Sequence, residues 1–379
     1  DGIFQGVCMN SKLNVGIVGA TGWMAGALAA GVEYDENGFA PETGNGNKSG
    51  ESQISALCDL NENLLKERKK KLGLDHAELF TSFDEMLKKK NLDAIIVAVP
   101  NNMHADFAVK TLAAGKHLFL EKPFATTVED SKKLMNAALA SRLTTKIDYI
   151  LLHYDEQEKL SSLVKKGAFG QIASTYFSYR HPINISNSPE QVWKLKRAKT
   201  GGAIAMGTCH AVSCSVNIAD SDPVLVVCKS SPPRIRNFDY HTQHDILITY
   251  ENGITGLVQG NIDFAEKYDA RHTVSGTEGQ FDYIPQNPLS SRVMWSSKSL
   301  KRDYSADPDF ANDHLDSGDV WTHKCSRSIK EFVANARAGR KDTLLGLDSA
   351  NVRRIEAVIW AAEKSAAGGA MPVMPELYR

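Results

Sequence analysis

The residues Gly16-Ile-Val-Gly19-Ala20-Thr21-Gly22-Trp23-Met24-Ala25-Gly26 follow an apolar run and open a helical stretch of small residues. In that context a glycine-rich turn has a chemical use. Its backbone can approach a pyrophosphate, and the N–H groups of the following helix can face the anion. Gly19 and Gly22 suit the tight turn, and residues 19–24 are the candidate phosphate loop, although Thr21 stands where a second glycine is expected. Asp59 ends the next apolar run, Ala56-Leu-Cys-Asp59. A carboxylate there can accept hydrogen bonds from an adenosine ribose and repel a 2′-phosphate, so NAD is favoured over NADP. The usual gap from glycines to acid is about 20 residues. The gap here is longer, and an insertion at 35–51, rich in Gly, Asn and Glu, accounts for the excess.

Other chemistries find little support. His241 and His244 are three apart at the start of a strand-like run, where side chains three apart point to opposite faces. Cys209, His210 and Cys214 cluster, but no spacing supplies the remaining zinc ligands. No metal site and no Ser/His/Asp or Cys/His nucleophile arrangement is expected. The 379 residues carry 44 Lys plus Arg against 45 Asp plus Glu, a formal charge of −1 that argues against a nucleic-acid binder. Hydrophobic residues at 42% and charged residues at 23% fit a folded globular chain rather than a disordered one. The run 94–99 is too short to cross a bilayer, which takes about 20 residues, so no membrane span is expected. Six cysteines without a CxxC pair point to a reducing compartment, and no basic segment followed by an apolar stretch marks a signal peptide. The cytoplasm is the expected location.

These candidates need elements to position them. From 13 to about 148, short apolar runs alternate with amphipathic stretches: strands at 13–18, 54–58, 94–99, 117–120 and 145–149, with helices such as 105–114 and 128–140. That alternation implies βαβ units and a doubly wound parallel sheet. From about 150 a helix at 156–166 leads into strands at 172–179, 223–229, 244–250, 256–261 and 272–276, with Asn252-Gly253 as a hairpin turn. Strands in succession imply a largely antiparallel open sheet. Helices at 320–338 and 348–366 close the chain, and the second can pack back on either domain. The expected organisation is an N-terminal tail at 1–12, an added or processed end, then a dinucleotide-binding α/β domain at 13–149. An α+β domain for substrate and oligomerisation follows at 150–379.

Ala113-Ala-Gly-Lys-His-Leu-Phe-Leu-Glu121-Lys122-Pro123-Phe-Ala125 follows the fourth expected strand, and Asp93-Ala-Ile-Ile-Val-Ala-Val-Pro100-Asn101-Asn-Met-His104 precedes it. Together these segments closely resemble the glucose-fructose oxidoreductase, inositol dehydrogenase and rhizopine catabolism family of NAD(P)-dependent oxidoreductases. The resemblance runs on diffusely to the C-terminus through the Trp193 segment and Gly201-Gly-Ala…His210. It implies a Rossmann-type first domain. It implies NAD contacts at Gly19 to Met24, Asp59, Pro100, Asn101, His104, Glu121 and Lys122, with nicotinamide near Lys122. Lys122 would hydrogen-bond the reacting hydroxyl and the cofactor ribose, and an ammonium beside a developing alkoxide does stabilise it. His210 would be the acid/base that removes the hydroxyl proton. Tyr179-Arg180-His181, Trp193 and Lys194 fall where the family lines its substrate site, Trp193 to stack on a sugar face and Arg180 to hold a carboxylate or phosphate, and His153 is a further substrate-binding candidate. The family forms homodimers or homotetramers, and a homo-oligomer is expected.

Two departures matter. The family carries an Asp four residues before His210, and Met206 stands there. Arg-Phe or Arg-Arg-Phe is common near 152–154, where this chain has Leu152, His153 and Tyr154. Tyr149, His153 and His181 are candidates to take over from the missing Asp. Three functions therefore stand. The first is an NAD(P)-dependent dehydrogenase or reductase for a secondary alcohol or ketone of a sugar, polyol or sugar derivative. The second is a glycosidase or lyase that recycles NAD through transient oxidation and elimination. The third is a non-catalytic dinucleotide-binding sensor or assembly subunit.

Overall fold

The computed structural model describes residues 12–34, 48–183, 189–265, 268–285, 292–308, 310, 325–340 and 349–377. Most of the tail (1–11) and of the insertion (35–47), and the start of the expected helix at 320–338, lie outside the described residues. The chain divides into two compact units. The first takes the described parts of Asp1–Glu121, Lys133–Asp148 and His323–Ser349; the second takes those of Lys122–Lys132, Tyr149–Thr322 and Ala350–Arg379.

The first unit is a six-stranded, wholly parallel sheet. Its strands are β1 (Leu13–Val18), β2 (Ser52–Cys58), β3 (Glu78–Phe80), β4 (Ala94–Val97), β5 (His117–Leu120) and β6 (Thr145–Ile147), in the order β3-β2-β1-β4-β5-β6. β4 is fully buried, as a strand covered on both faces must be, and Ala-Ile-Ile-Val supplies the continuous apolar run. The reading of five strands missed β3, which has only three residues and no fully buried side chain to mark it. The strand expected at 94–99 stops at Val97, ahead of Pro100. The helix Ala25–Glu33 is buried along its whole length. Its Gly31 is where Cys325–Arg337 crosses, since a Cβ there would lie 2.8 Å from Ile329 Cδ1 and 3.2 Å from Ser326 Cα. The strand order reverses between β1 and β4, and in such sheets ligands bind at the carboxyl ends of the strands flanking that reversal.

The second unit is an eight-stranded mixed sheet: β7 (Ile172–Arg180), β8 (Pro223–Ser231), β9 (Gln243–Tyr250), β10 (Thr255–Asn261), β11 (His272–Gly276), β12 (Gly279–Ile284), β13 (Arg292–Ser297) and β14 (Arg302–Ala306). Its order is β14-β13-β12-β11-β7-β10-β9-β8. Every neighbouring pair is antiparallel except β7 with β10. β9 and β10 form the expected hairpin, with Gly253 at φ 85°. The sequence reading missed β12, β13 and β14, whose polar and charged residues interrupt the apolar alternation. Among the described residues one helical run, Arg197–Ala219, is long and apolar enough to cross a membrane, but 94% of that window is buried inside the fold. It is a core helix of the unit.

Candidate active site

In the first unit the glycine loop is built against the ends of β2 and β4. Gly19 has φ 78°, and a Cβ on it would meet the Ala98 carbonyl oxygen at 2.4 Å, so glycine is required. The N–H groups of Gly19 and Ala20 both donate to the Cys58 carbonyl, at 3.0 and 3.1 Å, and the N–H of Gly22 donates to Gly19 O at 3.0 Å. Thr21 explains its departure from glycine. Its N–H and its hydroxyl both donate to Asp59 Oδ2, at 3.0 and 2.7 Å. Arg68, from the helix Glu62–Lys71, donates through Nη2 to the carbonyls of Thr21 and Gly22 at 3.1 Å each. Arg68 was invisible in the sequence because it sits in a basic helix face among Lys66, Lys69, Lys70 and Lys71.

The N–H groups of Gly19 to Gly22 are thus spent inside the protein. What the loop offers an anion is the start of the following helix, where Met24 takes the N-cap position with no side-chain cap. That uncapped terminus, the bare Gly22 surface and the Asp59 carboxylate fit a dinucleotide. Trp23 is exposed beside it. At the end of β4, Pro100 leads into the turn Asn101–Met103, with Asn101 buried. His104 is buried and donates from Nε2 to the Val99 carbonyl at 2.9 Å, which gives it a structural duty in holding this turn. Glu121 is buried as well, its N–H continuing the ladder to Val97 O at 3.0 Å.

The second unit holds Lys122 and His210. Lys122 is half-buried, and its Nζ donates to the carbonyl oxygen of Met206 at 3.0 Å. Met206 lies in a π-helical turn, Ile204–Thr208, directly before the helix Cys209–Ala219 that carries His210. Gly201 and Gly202, at φ 81° and 98°, allow the chain to enter this turn, and a Cβ on Gly201 would meet Thr126 Cα at 2.9 Å. The Met206 side chain is not exposed to a reactant. It packs with Ala203, Phe238, Tyr240 and Ile262. Lys122 is thus bonded to the backbone of position 206, whose Met side chain packs in the apolar cluster.

His210 is buried between two tyrosine rings, Tyr179 at 5.0 Å and Tyr149 edge-on at 6.5 Å between centroids. Tyr179 shares a 2.8 Å hydrogen bond with His181 Nδ1, and both pack on Tyr268. Of the candidates to replace the absent Asp, Tyr149 presents its ring edge-on to His210. Its hydroxyl donates to Glu356 Oε1 at 3.4 Å. Ser131 Oγ and Trp360 Nε1 donate to the other oxygen at 2.8 and 3.0 Å. Burial pushes the Glu356 carboxyl up to about 7. Glu356 gave no signal in the sequence, being one acid in an ordinary amphipathic helix.

The substrate candidates are less uniform. Arg180 is held by Asp269 at 3.3 Å and lies 4.9 Å over the Phe264 ring, which limits its freedom to hold another anion. His153 ends the turn Ile150–His153 and is half-buried. Trp193 is half-buried, with Lys194 Nζ 5.8 Å from its ring centroid. Of the two clustered histidine motifs, His244 is a buried structural residue, joined to Ser230 Oγ at 2.7 Å and to the His241 carbonyl at 3.1 Å. Among the described residues no group of three His, Cys, Asp or Glu side chains is placed to hold a metal.

Comparison with known proteins agrees with this architecture. Residues 13–149 match the family described as "Oxidoreductase family, NAD-binding Rossmann fold", and 158–282 match the "GFO/IDH/MocA C-terminal domain". The dTDP-3,4-didehydro-2,6-dideoxy-alpha-D-glucose 3-reductase of Saccharopolyspora spinosa is 30% identical over 95 residues, 25% of this chain and 29% of that protein. An alpha-N-acetylgalactosaminidase of Shewanella oneidensis is 22% identical over 267 residues, covering 62% of this chain and 58% of that protein. The chain thus spans well under two thirds of the length of either relative. A levoglucosan dehydrogenase solved in complex with NADH superposes with a TM-score of 0.77 at 18% identity, over 97% of this chain and all of that one.

Proposed function

The chain belongs to the Gfo/Idh/MocA family of oxidoreductases, and from that premise we propose an NAD-dependent dehydrogenase or reductase. Its substrate is a secondary alcohol or ketone of a sugar, polyol or sugar derivative. The observation that carries the reading is the fixed position of the Lys122 ammonium, 3.0 Å from the carbonyl of Met206 and four residues ahead of His210. Residues 13–149 serve the dinucleotide, and 150–379 serve substrate and oligomer.

NAD, when bound, supplies the acceptor for the hydride. The protein's own groups do the rest. One Lys122 N–H is spent on Met206, leaving two donors for the reacting oxygen, where positive charge stabilises the alkoxide that develops. His210 takes the hydroxyl proton as the C–H bond breaks, and returns it in the reductive direction. Tyr149 and Tyr179 hold its ring from two sides. Asp59 supports NAD over NADP because a 2′-phosphate would face its carboxylate. Titration of the purified chain with NAD and NADP by calorimetry, then NADH formation across polyols and sugars, tests the reading. Binding of neither dinucleotide sinks it, and so does NADH formation that survives Lys122→Met.

A second reading has its own support: the match over 62% of the chain to an alpha-N-acetylgalactosaminidase. In a recycling glycosidase the same groups create and then remove a transient ketone, with elimination between. Release of sugar without net NADH separates it from a dehydrogenase. The reading includes a homo-oligomer, dimer or tetramer, working in the cytoplasm. Exposed Leu247 lies in register with exposed Leu257 on β9 and β10, an apolar strip suited to a second copy. The five described cysteines are free and buried, as suits a reducing compartment.

A further inference from the structure

One carboxyl ties together the segments that carry the two reactive side chains. Glu356, in the helix Ser349–Ala367, is fully buried. An apolar side chain would fill that space without the cost of taking a carboxyl out of water, so the use of Glu356 lies in its bonds. Oε2 accepts from Ser131 Oγ at 2.8 Å and from Trp360 Nε1 at 3.0 Å, and Oε1 accepts from the Tyr149 hydroxyl at 3.4 Å. Ser131 lies in the segment 122–132, which also carries Lys122. The ring of Tyr149 lies edge-on to His210. Lys122 is bonded to the carbonyl of Met206, in the turn that leads into the His210 helix. The contacts thus close on themselves: Lys122, Met206, His210, Tyr149, Glu356, Ser131, and back to Lys122 through the chain. On its other side His210 meets Tyr179, whose hydroxyl shares a 2.8 Å hydrogen bond with His181. Each phenol beside the imidazole is therefore tied by its hydroxyl.

Resting on the reading of His210 as the group that moves the hydroxyl proton, we propose that Glu356 is a positioning residue of the reaction. It holds the Tyr149 ring against His210 and fixes that ring to the segment carrying Lys122, so that ammonium and imidazole keep one arrangement. Tyr149 does not itself take the proton, because burial, with the Glu356 charge adding to it, pushes its phenol well above the ordinary value. Glu356 holds the phenol in either charge state. Ionised, Oε1 accepts the phenol proton. Neutral, the carboxyl O–H on Oε1 donates to the phenol oxygen, since Oε2 already accepts from the Trp360 N–H, a group that only donates. Burial raises the carboxyl to about 7, so both states occur near neutral pH and both keep Tyr149 in place. The arrangement matters for rate because a misplacement of about 1 Å in a reacting group costs on the order of a hundredfold.

The test reads His210 directly, by NMR of the full chain carrying isotope-labelled histidine. The signals of His210 and His272 are identified by their loss in His210→Gln and His272→Phe. Glu356→Leu removes the anchor, and Tyr149→Phe keeps the ring and removes its hydroxyl. Both should move the His210 signal in the same direction, and the double variant should move it no further than the larger single one, as for groups that act through each other. His272, packed in the same unit between Phe177 and Tyr283, should stay where it is. Glu356→Gln keeps one acceptor and one donor and should shift His210 less than the leucine variant does. With a substrate from the polyol and sugar panel, kcat of Glu356→Leu should fall about tenfold or more while KM stays within about twofold, and Glu356→Gln should recover part of that loss. An unmoved His210 signal in Glu356→Leu overturns the proposal. So does a shift shared by His272, which would mean a general loosening of the core, or a double variant whose shift is the sum of the two. Should Glu356→Leu fail to fold, Tyr149→Phe decides on the same signals, and a His210 signal unmoved there overturns the proposal as well. The NMR signals need no substrate. Absent NADH formation with the His210 shifts intact would remove the dehydrogenase reading and the role resting on it, whereas missing shifts leave that reading standing.

Discussion

Asp59 takes both the N–H and the hydroxyl of Thr21 on the same carboxylate oxygen, at 3.0 and 2.7 Å. The acid that would meet the adenosine ribose is therefore also the anchor of the phosphate loop. Thr21→Val keeps the backbone bond and removes the other, a hydrogen bond to a charged group worth about 1.5 kcal/mol or more, so NAD affinity should fall roughly tenfold. Asp59→Ala removes the anchor and the repulsion of a 2′-phosphate together. Its NAD-to-NADP affinity ratio should fall by about tenfold or more, through weaker NAD and stronger NADP binding. An unchanged ratio in calorimetric titrations of that variant would show that Asp59 only holds the loop.

Gly19 and Gly115 have nearly the same left-handed φ, 78° and 73°, in opposite surroundings. A Cβ on Gly19 would strike the Ala98 carbonyl at 2.4 Å, whereas one on Gly115 meets nothing within 4 Å. Gly115→Ala should therefore cost only the conformational strain, about 1 kcal/mol. Gly19→Ala should cost about 2–4 kcal/mol because β1 and β4 must part to admit the methyl. Thermal melts of the two variants side by side test this, and similar losses would mean that the loop gives way easily.

The parallel sheet was legible because its strands announce themselves chemically. Ala94-Ile-Ile-Val97 has no polar residue, and Gly19 and Asp59 follow strands where a dinucleotide loop requires them. β3 was not, since three residues carry no period. In the second unit β12 to β14 were missed because Asp282, Arg292, Arg302 and Asp303 lie within or at the ends of the strands, on a sheet whose far edge stays wet. The site shows the same division. Lys122 and His210 stood out through the segments that carry the family resemblance. Glu356 and Arg68 did not, because their roles arise from tertiary partners far off in sequence: Tyr149 and Thr21.

Met206 was expected to leave His210 without its partner, and the packing shows why restoring an acid is no simple repair. Its side chain is buried among Phe238, Tyr240 and Ile262, where a carboxylate would lose water and gain only the Lys122 charge nearby. Met206→Asp should lower stability by about 2 kcal/mol or more and should not raise NADH formation. Lys122→Met, by contrast, removes a half-buried cation whose bond is to a carbonyl. It should leave the melting temperature little changed and lower turnover by about 10²- to 10⁴-fold. A Met206→Asp protein with wild-type melting and faster turnover would show that position 206 faces the reactant after all.

Three buried groups in the second unit give its stability a pH dependence with opposing signs. Burial pulls the His272 imidazole, packed between Phe177 and Tyr283, from 6.5 down to about 3, and burial likewise pulls His244 to about 4. Between those values and 6.5 the unfolded chain binds protons that the folded one refuses. Their contribution is therefore full above 6.5 and is lost as the pH falls. Glu356 runs the other way. Its folded carboxyl stays protonated up to about 7 while the unfolded one ionises near 4.5, so its contribution is present in acid and fades as the pH rises through that window. Glu363, whose carboxyl burial also raises, opposes the two histidines as Glu356 does, and His117, which burial lowers, adds to them, so the urea midpoint should fall on acidification below 6.5. Glu356→Gln should steepen that fall, and His272→Phe should flatten it, each by up to about 1.4 kcal/mol per pH unit. Urea titrations of the wild type and both variants at several pH values between 4.5 and 7 decide the matter. Shifts of the same sign in the two variants would refute the assignment of a protonated Glu356 beneath Tyr149.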